Sequence, residues 1–166
     1  LCDWNSDVCS SDLTAAQAYN VILQGASNTI AGATTFSNTG SVTIGNDATD
    51  TNAFTGGLVH TAGATNLAGS ISATNAAMTF AATTLSQTTS IDSDGGNILF
   101  SSTLAGGGND LTIAAGTAAG TTTFTGAVSG LGDGVGAALT LASTGLVRFM
   151  STVGAASGIS STNASG

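Results

Sequence analysis

The chain has 166 residues, a formal net charge of −8 and only 6% charged residues, with 24 glycines and no proline. One basic residue, Arg148, cannot build a phosphate-binding surface, which excludes nucleic acid as an expected partner. The 42% hydrophobic content with so few charges does not fit the disordered class, and no run approaches the roughly 20 apolar residues of a membrane span.

Helix formers such as Lys and Glu are absent, while Thr, Val, Ile and Phe recur in short runs, so the chain reads as all-β. Residues 1–13, LCDWNSDVCSSDL, stand apart in composition. They hold Cys2, Cys9, Trp4 and three of the nine Asp. The run Asp3–Leu13 resembles the conceptual translation of a short-read sequencing adapter, with Asn5 where that translation has Ser. Setting it aside leaves residues 14–166, without cysteine and with a net charge of −5 from six Asp and Arg148. A Cys2–Cys9 disulfide or metal hairpin lacks further ligands nearby, since His60 is far away in sequence. The N-terminus has neither the basic start nor the apolar stretch of an export signal, which is expected upstream of this piece.

Residues 13–23, LTAAQAYNVIL, open with alanines, but Tyr19, Val21 and Leu23 alternate and predict the strand of a first unit. From there, six phenylalanines organise the chain: Phe36, Phe54, Phe80, Phe100, Phe124 and Phe149. Each sits between small or β-forming neighbours, often with an apolar residue four positions on (Leu58, Leu104, Val128, Val153). The Phe-to-Phe steps are 18, 26, 20, 24 and 25 residues. A second apolar strand precedes most of them: Val42–Ile44, Leu111–Ile113 and Leu139–Leu141 alternate, and Ile71 and Ile91 take the same place. Turn formers separate the strands at Gly45–Asp47, Asp94–Asn97, Gly106–Asp110 and Gly132–Gly134.

A unit of two or more short strands cannot bury its own apolar face, whereas stacked units of about 20–26 residues can. The expected fold is therefore a parallel β-helix-like solenoid of about six Phe-centred repeats, truncated at both ends. At about 4.8 Å per coil it forms a rod of roughly 30 Å, with the Phe in or near one internal row. An antiparallel β-sandwich is the alternative. Internal solenoid pieces lack caps, so exposed ends are expected.

The pattern LTIAAGTAAGTTTFTGAVSGLG…ALTLAS (Leu111–Ser143) resembles the β-strand repeats of large bacterial surface proteins, the filamentous-haemagglutinin-like and autotransporter-type adhesins. Ser41–Ser72 resembles a longer form of the same repeat. The resemblance implies a secreted or outer-membrane-displayed passenger or stalk, meeting an unknown protein or glycan ligand through other parts of the full protein. A carbohydrate-active β-helix enzyme fragment is the alternative function.

Chemistry-bearing residues are few, and the expectation is no catalytic, cofactor or metal site. Asp92-x-Asp94 would share one face of a strand, as a paired-carboxylate site requires, but Ser93–Asn97 reads as a turn. Ala105–Asp110 resembles one imperfect calcium-binding nonapeptide turn, with Ala105 for Gly and Thr112 where an apolar residue is needed. His60 lacks a nucleophile elbow and reads as an outward or hydrogen-bonded residue. Arg148, between Val147 and Phe149, is expected to face solvent, and Asn163–Ser165 spells a glycosylation sequon. An ordered ice-binding threonine array needs a regular outward ladder, against which the uneven steps argue.

Overall fold

The computed structural model describes residues 16–116, 120–142 and 145–162. The adapter-like segment and the sequon lie outside them. The described chain is all-β, without helix, and winds into a parallel β-solenoid of about six turns. The sandwich alternative is thereby set aside, because every strand pair is parallel.

Each full coil lays one strand segment on each of three faces. The first coil is β1 (Val21–Leu23), β2 (Ser27–Ile30) and β3 (Thr34–Phe36), and the second is β4 (Val42–Ile44), β5 (Thr51–Phe54) and β6 (Leu58–His60). In the third and fourth coils one long strand covers the first two faces: β7 (Ala64–Ser72) is followed by β8 (Met78–Phe80), and β9 (Ala82–Asp92) by β10 (Ile98–Phe100). The fifth coil is β11 (Leu104–Ala105), β12 (Leu111–Ala114) and β13 (Thr122–Phe124). The sixth is β14 (Val128–Leu131), β15 (Leu139–Ala142) and β16 (Val147–Phe149), and β17 (Val153–Ala155) and β18 (Ile159–Thr162) begin another. Because β7 and β9 bridge the first corner, faces one and two form a 12-stranded sheet, and face three a separate 6-stranded sheet.

Alternation decides what enters the core. In β4, β8, β10, β12, β13 and β15 the apolar or small residue of the inward parity is buried and its neighbour is half-exposed. Burial on one side and hydroxyls on the other is why Val-Thr-Ile, Leu-Thr-Ile and Leu-Thr-Leu recur. The inward residues line up coil upon coil. One column on face one is Val21, Val42, Thr65, Thr83, Leu104, Val128 and Val153. At the last described turn the inward Val153 and Ile159 are 37% and 49% exposed, whereas Val128 and Leu139 one coil below are 2% and 0% exposed. The expected uncovered end is therefore present among the described residues.

The Phe row differs from the sequence reading in one member. Register on face three pairs Phe36 with His60, and Phe80, Phe100, Phe124 and Phe149 in succession. Leu58 beside Met78 and Val59 beside Thr79 set His60 next to Phe80. Phe54 lies instead on face two, paired with Ile30. The coil steps are thus 24, 20, 20, 24 and 25 residues, counted 36 to 60, 80, 100, 124 and 149. The apparent steps of 18 and 26 came from counting Phe54 as a member of a row in which His60 stands.

The same shift regroups the flanking strands. Val42–Ile44 lies on face one, whereas Leu111–Ile113, Leu139–Leu141, Ile71 and Ile91 share face two. Leu58 likewise belongs to face three and not with Leu104, Val128 and Val153. Length differences fall at corners. Between faces one and two, coils two, five and six insert residues 45–50, 106–110 and 132–138, and coils three and four turn within one strand.

Candidate functional site: the hydroxyl face and the polar corners

Face two carries the most regular surface. Its outward residues run Ser27, Thr51, Ser70, Ser90, Thr112, Thr140 and Ser160, one per coil and in register throughout. The next outward column is Thr29, Ala53, Ser72, Asp92, Ala114 and Ala142. Hydroxyls therefore repeat at about 4.8 Å along the rod, beside a column of mostly small residues about 6.6 Å away along each strand. The sequence argument against a regular ladder fails on this point, because the uneven steps are taken up in the corners and never reach the face. The outward column of face three is mixed: Thr35, Val59, Thr79, Leu99, Thr123 and Arg148. Arg148 is exposed there, as alternation required.

The carboxylates sit at corners. Asp92 ends β9 and its Oδ1 accepts from the N–H of Asp94 at 2.9 Å, a local turn bond. Asp94 adopts φ 49°, and Ser93 Oγ closes the turn by donating to the Gly96 carbonyl at 2.6 Å. Asp92 and Asp94 thus belong to one exposed turn, and their spacing does not lie along a strand face. Asn109 closes the 106–110 turn by donating from Nδ2 to the carbonyls of Gly106 and Leu85, at 3.0 and 3.1 Å. Its amide is committed to the fold. No group of three or more His, Cys, Asp or Glu that could hold a metal occurs among the described residues.

Sequence reasoning placed a turn at Gly45–Asp47 but missed the residue that holds the 45–50 corner together. Asp50 is buried, and its Oδ2 accepts the N–H groups of Asn46 at 2.8 Å and Asp47 at 3.1 Å, so it organises the turn from inside. Asp47 is exposed, and the N–H and hydroxyl of Thr49 hold its carboxyl below the ordinary 3.8. Asp47 accepting from Thr49 is the Asx turn that turn chemistry anticipates, whereas Asp50 reaches back to N–H groups three and four residues earlier and left no such signal.

A polar pair also enters the core of face two. Asn52 is buried and its Oδ1 accepts from Asn28 Nδ2 at 2.7 Å, but its own Nδ2 has no partner. The next three members of that column are Ile71, Ile91 and Ile113. Replacing Asn52 by Leu removes an unsatisfied donor and extends the apolar column, while Asn28 keeps its bond to the Gly25 carbonyl. The expected result in urea denaturation is a gain of about 1 kcal/mol.

His60 is fully buried and hydrogen-bonded, through Nδ1 to Thr65 Oγ1 at 2.9 Å. Of the two dispositions the sequence allowed, the structure takes the hydrogen-bonded one. Its ring meets Phe36 edge-on, at 6.4 Å between centroids and 88° between planes.

No helix among the described residues is long and apolar enough to cross a membrane. No family profile matches the chain, and no curated protein or solved structure matches it significantly.

Proposed function

We propose that the chain is a structural stalk or passenger segment of a secreted or cell-surface, adhesin-like protein, displayed in the manner of autotransporter passengers. The observation that carries this reading is the unbroken stack. Three parallel ladders and a shared apolar core run through six coils, from Val21 to Phe149, and differences in coil length fall at corners. Such a rod extends by whole coils, so its length follows repeat number, and it holds whatever is attached at its ends at a set distance. Its surface is poor in charge and rich in hydroxyls, which suits weak contacts with an unknown protein or glycan ligand more than steering of a charged partner. The enzymatic alternative rests on carboxylates, and Asp92 and Asp94 favour it little, since one holds the other's backbone in a turn. An antibody raised against residues 16–162 tests the placement. Labelling of intact source cells is expected, and labelling only after lysis would contradict it.

A second reading is favoured by one observation, the seven-member hydroxyl column of face two. A regular hydroxyl column repeating at about 4.8 Å is suited to adsorb to an ordered solid surface, of which ice is the simplest case. Thr112→Tyr in the middle of that column is then expected to abolish ice shaping, while Thr123→Tyr on face three leaves it intact. Absence of ice shaping by the parent chain would end this reading and leave the stalk unaffected.

A further inference from the structure

We propose that His60 is an acid-triggered release point for coils one to three, which loosen ahead of the rest of the rod when the imidazole gains a proton. The geometry carries the argument. His60 takes one place in a row otherwise made of Phe and is 0% exposed. Nδ1 has Thr65 as its partner, but Nε2 is buried without any. In the imidazolium both nitrogens carry a proton, so Nε2 is then a buried donor without a hydrogen-bonded acceptor, and the charge arrives beside the ring of Phe36.

No charged side chain packed around the ring compensates that charge. The segments against it are β3, β8, the corner at 37–41 and the corner at 61–63 leading into β7. None contains Asp, Glu, Lys, Arg or a second His. Tyr19, whose carbonyl accepts from Asn38 Nδ2, also adjoins this corner. Among the described residues the closest carboxylates in sequence, Asp47 and Asp50, serve the corner between faces one and two, away from face three.

Burial holds the imidazole below its ordinary 6.5, and the main chain of Asn38 opposes this less strongly, with no well-formed hydrogen bond between them. The unfolded chain then binds the proton first. The stability associated with neutral His60 is complete above about pH 6.5 and falls as the pH drops below it. In a solenoid each coil touches only its neighbours, so the loss stays local and opening proceeds from the nearer end. The coils beyond Phe100 keep a stack of phenylalanines at 4.8 and 4.9 Å and contain no histidine.

Hydrogen exchange of the full chain at pH 7.5 and 5.5, corrected for intrinsic rates, tests this in a window where ordinary carboxylates stay ionised. One unit below 6.5, the opening equilibrium of β6 and β8 is expected to rise, with about tenfold as the ceiling set by an unfolded pKa of 6.5, and β13 is expected to stay unchanged. In His60→Phe the difference disappears, and His60→Leu serves as a second variant should Phe overpack the row. Equal protection of β6 and β8 at both pH values would overturn the proposal. So would acid sensitivity that persists in the His60 variants, or that extends equally to β13.

Discussion

Phe100→Ala is expected to lower the stability of the chain by about 3–5 kcal/mol, the range of buried Phe truncations. Phe100 is fully buried, stacked on Phe80 at 5.3 Å and 24° and on Phe124 at 4.8 Å and 3°. Truncation opens a cavity in the middle of the row and removes both aromatic contacts, each worth about 0.5–1.5 kcal/mol beyond burial. Neighbouring backbone cannot close the gap, because each coil is tied to the next by its ladder. Phe149→Ala is the comparison. Phe149 is half-buried and stacks on Phe124 alone, at 4.9 Å and 5°, so its loss is expected to cost about half as much. Denaturant unfolding of both variants measures the ratio. Equal losses would mean that the row is not a stack whose members share neighbours.

Gly63→Ala is expected to cost about 4 kcal/mol despite adding a single carbon in an exposed turn. Gly63 has φ +75°, and a Cβ built there would lie 1.8 Å from the Gly40 carbonyl oxygen, in the coil below. The obstacle is backbone of the adjacent coil, so no side chain can swing aside. The left-handed conformation adds about 1–3 kcal/mol and the clash a similar amount. Gly32→Ala is the control, since nothing lies within 4 Å of its Cβ and its backbone is not left-handed. It is expected to change stability by less than about 0.5 kcal/mol. The pair separates a glycine needed for close approach of coils from one that merely occupies a corner. Tm values of the two variants read it directly.

The architecture was legible in the sequence because a stacked coil leaves a periodic trace. Apolar residues alternating with Thr, six Phe in similar surroundings and turn formers between them require short strands and repeated units. Register was less legible. Phe54 has the same small neighbours as the other Phe, and only the three-dimensional winding shows that it meets Ile30 on face two while His60 fills the row. Local sequence reports which residues point inward, but not which of three faces they belong to. That assignment depends on corner lengths, which range from none in β7 to the seven residues 132–138.

The surface was legible only in part. Arg148 and the turn at Asp92–Asp94 followed from alternation and turn chemistry. The hydroxyl ladder of face two was obscured because its members are spaced by 24, 19, 20, 22, 28 and 20 residues from Ser27 to Ser160, and alignment appears only once the corners are removed. Asp50 and Asn52 were missed for a related reason. A buried polar residue looks like an exposed one until its partners are known.

Paired cysteines on face three test the winding most directly, in a chain with Cys2 and Cys9 replaced by Ser. Val59 and Thr79 are outward partners in adjacent coils. Their α-carbons lie about 4.8 Å apart, within the span of a disulfide. Val59→Cys with Thr79→Cys is expected to cross-link on mild oxidation, and Ala53→Cys with Thr79→Cys to stay reduced. Cross-linking of the second pair instead of the first would place Phe54 beside Phe80, restore the steps of 18 and 26 residues, and contradict the three-faced coil described above.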